Sequence, residues 1–198
     1  MHVTKHNDNQ KMAGFVSLNT SMHNNKYCQK MSQNKDLICS RCYAHRFEAM
    51  FPNLRNTLAK NSELLSNREL TSNEIYATGF SMRKAVRFNS FGELINKKHY
   101  KNLVKIAEHF PDTIFTLWTK RSNLVRGIDK PDNLILVFSS PKINVVSKLP
   151  YGFDKVFTVF DKDYIEQNSI DINCVKQCNT CMKCYKHNDI TFINEAIK

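Results

Sequence analysis

The chain has 198 residues, 41% of them hydrophobic, which suffices for one domain with a buried core and is short for two. No apolar run approaches the roughly 20 residues that span a bilayer, and the polar, His-rich start lacks the apolar core of a signal peptide. These features argue against a membrane partner and predict a cytoplasmic protein.

The net charge is +11, from 29 lysine and arginine residues against 18 acidic ones. A basic surplus favours phosphate-rich partners, because binding to nucleic acid releases condensed counterions. The charges are scattered rather than gathered in one tract, and coding bias towards lysine, asparagine and isoleucine alone could produce the same surplus. Nucleic acid is therefore a candidate partner, alongside a small-molecule or nucleotide-like substrate.

The first half of the chain is predicted to be loop-rich over residues 1–26 and helical over 43–70, where Pro52 ends or restarts the helix. A short strand over 85–89 is ended by Gly92. An amphipathic helix over 97–109 follows, with its leucine, valine and isoleucine residues on one face.

The second half is predicted to contain strands over 113–118, 134–138 and 155–160, with a short helix over 122–127. Strands separated by helical segments indicate parallel pairing with right-handed crossovers. We therefore predict a single α/β domain over residues 1–198. It would contain a mostly parallel sheet, forming a partial or small TIM-like barrel, with cysteine-rich ends.

The chemistry of such sheets lies beyond the carboxyl ends of the strands, which here are polar and small. Arg87 and Lys120 lie near these ends and could bind a carboxylate or phosphate, or could be surface charges over the rim. Asn89 and Ser90 could hydrogen-bond a ribose or form a turn. Trp118 alternates with apolar residues and is predicted to be core.

The seven cysteines form two groups with none between them: Cys28, Cys39 and Cys42 early, and Cys174, Cys178, Cys181 and Cys184 late. Disulfides are not expected in a reducing cytoplasm. Segregation of this kind is instead typical of metal binding by thiolates.

The early group contains a CxxC pair, Cys39 and Cys42, which places two sulfurs on one turn within reach of the same metal. A helix from Tyr43 would direct its amide N–H groups at the pair and stabilise thiolates. Three cysteines without a fourth suggest a cluster with one open iron. Structural zinc needs a fourth ligand, which His23 or His45 could supply.

The late group has four thiols within eleven residues, in a C-terminal metal-binding segment over 170–190. This spacing is as tight as the cysteine runs of ferredoxin-type clusters, whereas zinc knuckles are separated by longer loops. The spacing therefore favours a [4Fe–4S] cluster over zinc. Cys174, the outlying member, could ligate a different cluster instead.

The order of these motifs resembles a known family. The motifs are Cys-x2-Cys-Tyr-Ala after a more distant cysteine, Arg-Phe-Asn-Ser-Phe-Gly-Glu, Phe-Thr-Leu-Trp-Thr-Lys-Arg and a late Cys-x2-Cys-x2-Cys-Tyr. From about residue 17 to about 185, they are similar to the phage proteins of the gene-product-88 family. More distantly, they resemble radical S-adenosylmethionine (radical SAM) enzymes, although the ten-residue first gap departs from the usual three.

The radical SAM resemblance implies cofactors and an electron donor protein. Cys28, Cys39 and Cys42 would hold a [4Fe–4S] cluster whose open iron chelates S-adenosylmethionine. Gly92-Glu93 would receive the amino group of that cofactor, and the late cysteines would hold an auxiliary cluster. With Arg87 and Asn89, Gly92 and Glu93 make up the expected cofactor-binding set.

The leading hypothesis is therefore a radical-SAM-type enzyme with one or two clusters and an unidentified substrate. One rival is a zinc- or cluster-stabilised nucleic-acid-binding protein without catalysis. A second rival is an electron carrier or redox sensor that has clusters but does not use S-adenosylmethionine. Metal analysis distinguishes the nucleic-acid-binding protein from the enzyme. Cleavage of S-adenosylmethionine distinguishes the electron carrier or redox sensor from the enzyme.

Overall fold

A seven-stranded sheet with its strands in chain order forms the centre of the computed structural model, which describes residues 1–8 and 10–197. The strands are β1 (Val3–Lys5), β2 (Val16–Leu18), β3 (Ala85–Phe88), β4 (Ile114–Thr119), β5 (Leu134–Ser139), β6 (Lys155–Phe160) and β7 (Phe192–Ala196). Only β1 and β2 pair antiparallel; every later pair is parallel. The predicted mostly parallel α/β sheet is confirmed.

The sheet is open, because within the described ranges no pairing joins its edge strands β1 and β7. The predicted barrel is therefore not closed. Consecutive parallel strands with right-handed crossovers place their connecting helices on one face of the sheet. The other face, called the inner face below, is left for a different part of the chain to cover.

Eight α-helices occur in the described part of the chain. They are α1 (Lys26–Ser32), α2 (Tyr43–Met50), α3 (Pro52–Asn67), α4 (Ser72–Tyr76), α5 (Lys97–His109), α6 (Ser122–Val125), α7 (Lys162–Asn168) and α8 (Cys178–Cys181). Pro52 occupies the first position of α3, where its missing N–H would have no partner in the helix. This explains why the helix predicted over 43–70 is divided in two.

The two faces of the sheet support separate cores. The larger core lies between the sheet and the helices, and includes Val86, Phe88, Phe115, Leu117, Leu103 and Ile106. The smaller core lies on the inner face, and includes Phe15, Ile135, Val137, Phe157, Met182, Tyr185 and Ile193. The late cysteine segment thus covers the inner face.

The prediction of a loop-rich segment over 1–26 was wrong for two short stretches, because β1 and β2 lie within it. Each has only three residues, too few to show a periodic pattern of hydrophobicity. Their extended conformation is instead stabilised by pairing, since Val16 and Leu18 lie opposite Val86 and Phe88 of β3.

His99, in α5, is expected to make the stability of the fold depend on pH. The side chain is fully buried, and burial lowers its pKa to about 3. The unfolded chain therefore binds a proton near pH 6.5 that the folded chain does not bind. Consequently the free energy of unfolding decreases as the pH falls below 6.5, by up to about 1.4 kcal/mol per pH unit.

Urea unfolding at pH 7 and pH 5 tests this expectation. Between these pH values the wild-type chain should lose about 2 kcal/mol more than a His99→Gln variant. Because glutamine does not titrate, the comparison removes the effect of the other ionisable groups. Equal losses in the two proteins would show that His99 is not the source of the pH dependence.

Candidate metal centre

The early cysteines lie on the connection between β2 and β3. Cys28 is in α1, Cys39 is in the 3-10 turn Ile38–Arg41, and Cys42 directly precedes α2. The Asn25 side chain accepts a hydrogen bond from the Cys28 N–H at 3.4 Å, and the Cys42 N–H donates to the Cys39 carbonyl at 3.2 Å. As predicted, a helix begins immediately after the CxxC pair.

This segment is fastened to the carboxyl ends of β3 and β5. Three hydrogen bonds hold it, from Asn25 Nδ2 to the Glu93 carbonyl (2.9 Å), from the Tyr43 hydroxyl to the Ser90 carbonyl (2.8 Å) and from the Ile38 N–H to the Pro141 carbonyl (2.9 Å). The carboxyl ends of parallel strands are where α/β sheets carry their binding sites. The early cysteines therefore lie at the edge where chemistry is expected.

The three early thiols lie close enough to influence one another. Burial raises the pKa of Cys28, and the charges of Glu93, Cys39 and Cys42 raise it further, whereas Lys120 lowers it. Burial also raises the pKa of Cys39, and Lys120 is the largest influence opposing that rise. Since metals bind thiolates, a bound cation would have to offset this preference for the neutral form.

Gly92 and Glu93, predicted to bind a cofactor, both have structural roles. Gly92 has φ +80°, and a Cβ there would lie 2.3 Å from the Thr20 carbonyl oxygen. Glu93 is buried, and its carboxylate accepts hydrogen bonds from Thr119 Oγ1 and from the N–H groups of Leu94 and Lys120. A carboxylate has about four lone-pair positions, so about one remains for a ligand.

Asn89, the next member of the predicted set, is buried at the end of β3 with φ +58°. Its N–H donates to the Leu18 carbonyl at 3.0 Å. Its side-chain Nδ2 is buried and has no hydrogen-bond partner among the described residues. It is thus a buried donor at the carboxyl edge, and its proposed contact with a cofactor stays a prediction.

Arg87 lies on the inner face, on the opposite side of β3 from Val86 and Phe88. Its guanidinium carbon is 4.0 Å from the centre of the Trp118 ring, and Nη1 lies 3.7 Å from the Met12 sulfur. Its Nε is buried without a hydrogen-bond partner, and no salt bridge of Arg87 is found in residues 1–8 and 10–197. Arg87 therefore places on the inner face a positive charge with which no carboxylate of the described residues forms an ion pair.

All four late cysteines line one small, open cavity. Cys184 is buried and the other three are half-buried. The segment is fixed by hydrogen bonds from the Cys174 N–H to the Asn194 carbonyl (3.0 Å) and from the Cys178 N–H to the Lys11 carbonyl (2.8 Å). The four thiols are thus brought to one place on the inner face.

Arg87 is the main cation acting on Cys178 and Cys184. Burial raises the pKa of Cys184 to about 12, Cys174 raises it further, and Arg87 is the charge that lowers it. Burial likewise raises the pKa of Cys178, and Arg87 is the largest influence opposing that rise. Arg87, predicted from its place near a strand end to bind a cofactor, therefore acts electrostatically on the late thiols.

Lys11 and Glu195 belong to the late group, although nothing in the sequence indicated them. Lys11 Nζ donates to Cys174 Sγ at 3.2 Å and also pairs with the Glu195 carboxylate. Lys11 and Cys174 are 163 positions apart, and no motif links them. Cys174 therefore has a charged partner of its own.

Neither group forms a closed metal site as it stands. In the part of the chain that the structure describes, no set of three or more histidine, cysteine, aspartate and glutamate side chains could hold a metal ion. Binding at either group would therefore require the thiol side chains to rotate. The type of donor nevertheless fits, because thiolates are the usual ligands of iron–sulfur clusters and of structural zinc.

The zinc alternative named two histidines as the fourth ligand of the early group. His23 and His45 pack against each other, with ring centroids 4.9 Å apart. The Nε2 atom of His23 is buried without a hydrogen-bond partner among the described residues. The geometry of the early group is thus compatible with a zinc ion as well as with an iron–sulfur cluster.

Comparison with known families gives a match over nearly the whole chain. The family model described as Gene product 88 matches residues 2–196. The chain belongs to the gene product 88 family. This confirms the resemblance to the phage gene-product family, whereas a relationship to radical SAM enzymes is not shown. Neither a curated protein nor a solved structure matches the chain.

Among the described residues, none of the helices is both long and apolar enough to cross a membrane.

Proposed function

We propose that the chain is an iron–sulfur protein of radical SAM type, acting on an unidentified substrate in the host cytoplasm. One observation carries the proposal: Cys28 and Cys39 lie at the carboxyl edge of a parallel sheet, within electrostatic reach of Glu93 and Lys120. When bound there, a [4Fe–4S] cluster with one open iron would supply the electron for reductive cleavage of S-adenosylmethionine.

The residues around the early thiols would prepare this site for an anionic cluster and a charged cofactor. Lys120 places a positive charge beside Cys28 and Cys39, and its Nζ is held by the Ser139 hydroxyl at 3.0 Å. Arg121 lies over the Tyr27 ring at 5.0 Å, near the same thiols. The remaining lone pair of Glu93 would accept a hydrogen bond from the amino group of the cofactor.

The late thiols would hold a second, fully ligated cluster. Four thiolates around one centre would carry net negative charge, which Arg87 would partly offset because none of the described carboxylates forms a salt bridge with it. We therefore assign Arg87 to the late centre rather than to S-adenosylmethionine. A closed four-cysteine site suits electron transfer from a donor protein, or bracing of the inner face.

Anaerobic reconstitution of the full chain tests this proposal. The brown protein should contain about seven to eight irons per chain, with matching sulfide. With dithionite and S-adenosylmethionine it should release 5′-deoxyadenosine. A colourless protein with stoichiometric zinc would reject both clusters. Intact clusters that release no 5′-deoxyadenosine would reject the enzyme and favour an electron carrier or redox sensor.

A further inference from the structure

Large apolar side chains are exposed together on α2 and at the start of α3. Phe47 and Phe51 are 41% and 48% exposed, and their rings stack with centroids 6.0 Å apart and an interplanar angle of 28°. Met50, between them, is also exposed. Contiguous exposed apolar side chains are uncommon on a folded protein and mark a surface that binds something.

The same stretch of chain is strongly basic on its exposed side. Arg41, Arg46, Arg55 and Lys60 are all exposed, and none of them forms a salt bridge within residues 1–8 and 10–197. Glu48 is the one acidic residue between positions 40 and 61. It is buried, and its carboxylate accepts hydrogen bonds from the Ser21 hydroxyl and the Met22 N–H. Arg46 and Arg55 therefore have no exposed acidic residue in this stretch to offset their charge. By contrast, Asp161 lies within electrostatic reach of Arg41, and the exposed Glu63 follows Lys60 by three positions.

We propose that this aromatic–basic surface, formed by Arg46, Phe47, Phe51 and Arg55, binds single-stranded nucleic acid. Exposed rings provide platforms on which unpaired bases stack, and nearby cations contact the phosphates. Both cations are arginine, whose planar guanidinium both stacks on bases and bonds phosphate through two N–H groups. The net charge of +11 acts in the same direction.

The surface continues towards the early cysteines. The Phe47 ring lies 6.1 Å from that of Phe91, which follows β3 at the carboxyl edge of the sheet. The Tyr43 ring, one residue after Cys42, lies 5.4 Å from the same Phe91 ring. A strand bound on the surface would thus pass beside the proposed metal site. The binding itself needs no metal and is tested independently of it.

Two other partners fit the surface less well. Duplex nucleic acid keeps its bases stacked inside the helix, so the phenylalanine rings would have no base to contact. Binding to an anionic membrane does not require arginine, because lysine attracts the lipid headgroups as well. It also uses a longer amphipathic helix than α2, which has eight residues. Both partners are outcomes that the experiment separates.

The test is fluorescence anisotropy of the full chain with labelled 12-nucleotide single-stranded DNA and RNA of mixed sequence. If both arginines contact phosphates, the affinity should fall about 7-fold between 50 and 200 mM salt. Absence of binding at 50 mM salt would overturn the proposal. So would equal affinity for a duplex of the same length, or binding to phosphatidylserine vesicles without binding to the oligonucleotides.

Two matched pairs of variants locate the surface. Phe47→Ala/Phe51→Ala should weaken binding at least tenfold, whereas Tyr151→Ala, which removes an exposed ring elsewhere, should have no effect. Arg46→Glu should weaken binding and lower the salt slope by about 0.7, whereas Lys148→Glu changes the net charge equally and should not. If both members of either pair weakened binding equally, this surface would be rejected as the binding site. The pair Arg46→Glu and Lys148→Glu decides this even if the phenylalanine variant is poorly folded.

Discussion

A Gly92→Ala variant is expected to lose about 3 kcal/mol of its free energy of unfolding. At φ +80° an alanine costs about 1 kcal/mol relative to glycine. Its Cβ would also lie 2.3 Å from the Thr20 carbonyl oxygen, a backbone atom that cannot rotate away. Overpacking of this kind costs a further 1–3 kcal/mol, roughly. The close contact joins the loops that follow β2 and β3.

Gly127→Ala is the matched control for this substitution. Gly127 has nearly the same backbone angle, φ +77°, but no atom lies within 4 Å of the position of a Cβ. Its substitution should therefore cost only about 1 kcal/mol. Urea unfolding followed by circular dichroism measures both variants. Equal losses would mean that the contact with Thr20 does not constrain the carboxyl edge.

Replacing either group of cysteines by serine is expected to remove about half of the iron from the reconstituted protein. The early substitution changes Cys28, Cys39 and Cys42, and the late one changes all four thiols lining the inner-face cavity. Serine is close to cysteine in size, so folding should be little affected. Each variant should retain about four irons per chain, because each group would hold its own cluster.

His23→Gln and His45→Gln serve as controls for these variants. Both residues are candidate zinc ligands, and neither has a role in an iron–sulfur site with one open iron. Their substitution should leave the metal content unchanged. Loss of metal from the histidine variants would favour zinc at the early group. Loss of all metal from either cysteine variant would contradict the division of the thiols into two centres.

The centre of the sheet could be predicted from sequence because its strands carry their own signal. Leu134–Ser139 and Lys155–Phe160 are rich in branched and aromatic residues, and both are strands close to the predicted bounds. Phe192–Ala196 carries no such signal, since it contains Asn194 and Glu195. It becomes a strand because β6 offers it a parallel partner. Pairing over such distances cannot be deduced from a local pattern.

The candidate site was partly predictable for a similar reason. The rule that chemistry lies beyond the carboxyl ends of parallel strands indicates the edge at which Glu93 lies, but that Cys28 comes within electrostatic reach of Glu93 is seen only in the structure. The side of the sheet on which Arg87 lies follows from strand alternation, since its neighbours Val86 and Phe88 are core residues. The contact between Lys11 and Cys174 could not be foreseen, because the fold alone brings these segments together.

The most direct test of an open iron at the early group uses the variant in which the four late cysteines are serine. Its reduced cluster should give an electron paramagnetic resonance spectrum that changes when S-adenosylmethionine is added, because the cofactor would bind the iron that lacks a cysteine. An unchanged spectrum, or a protein that holds zinc and gives no signal, would contradict the proposal.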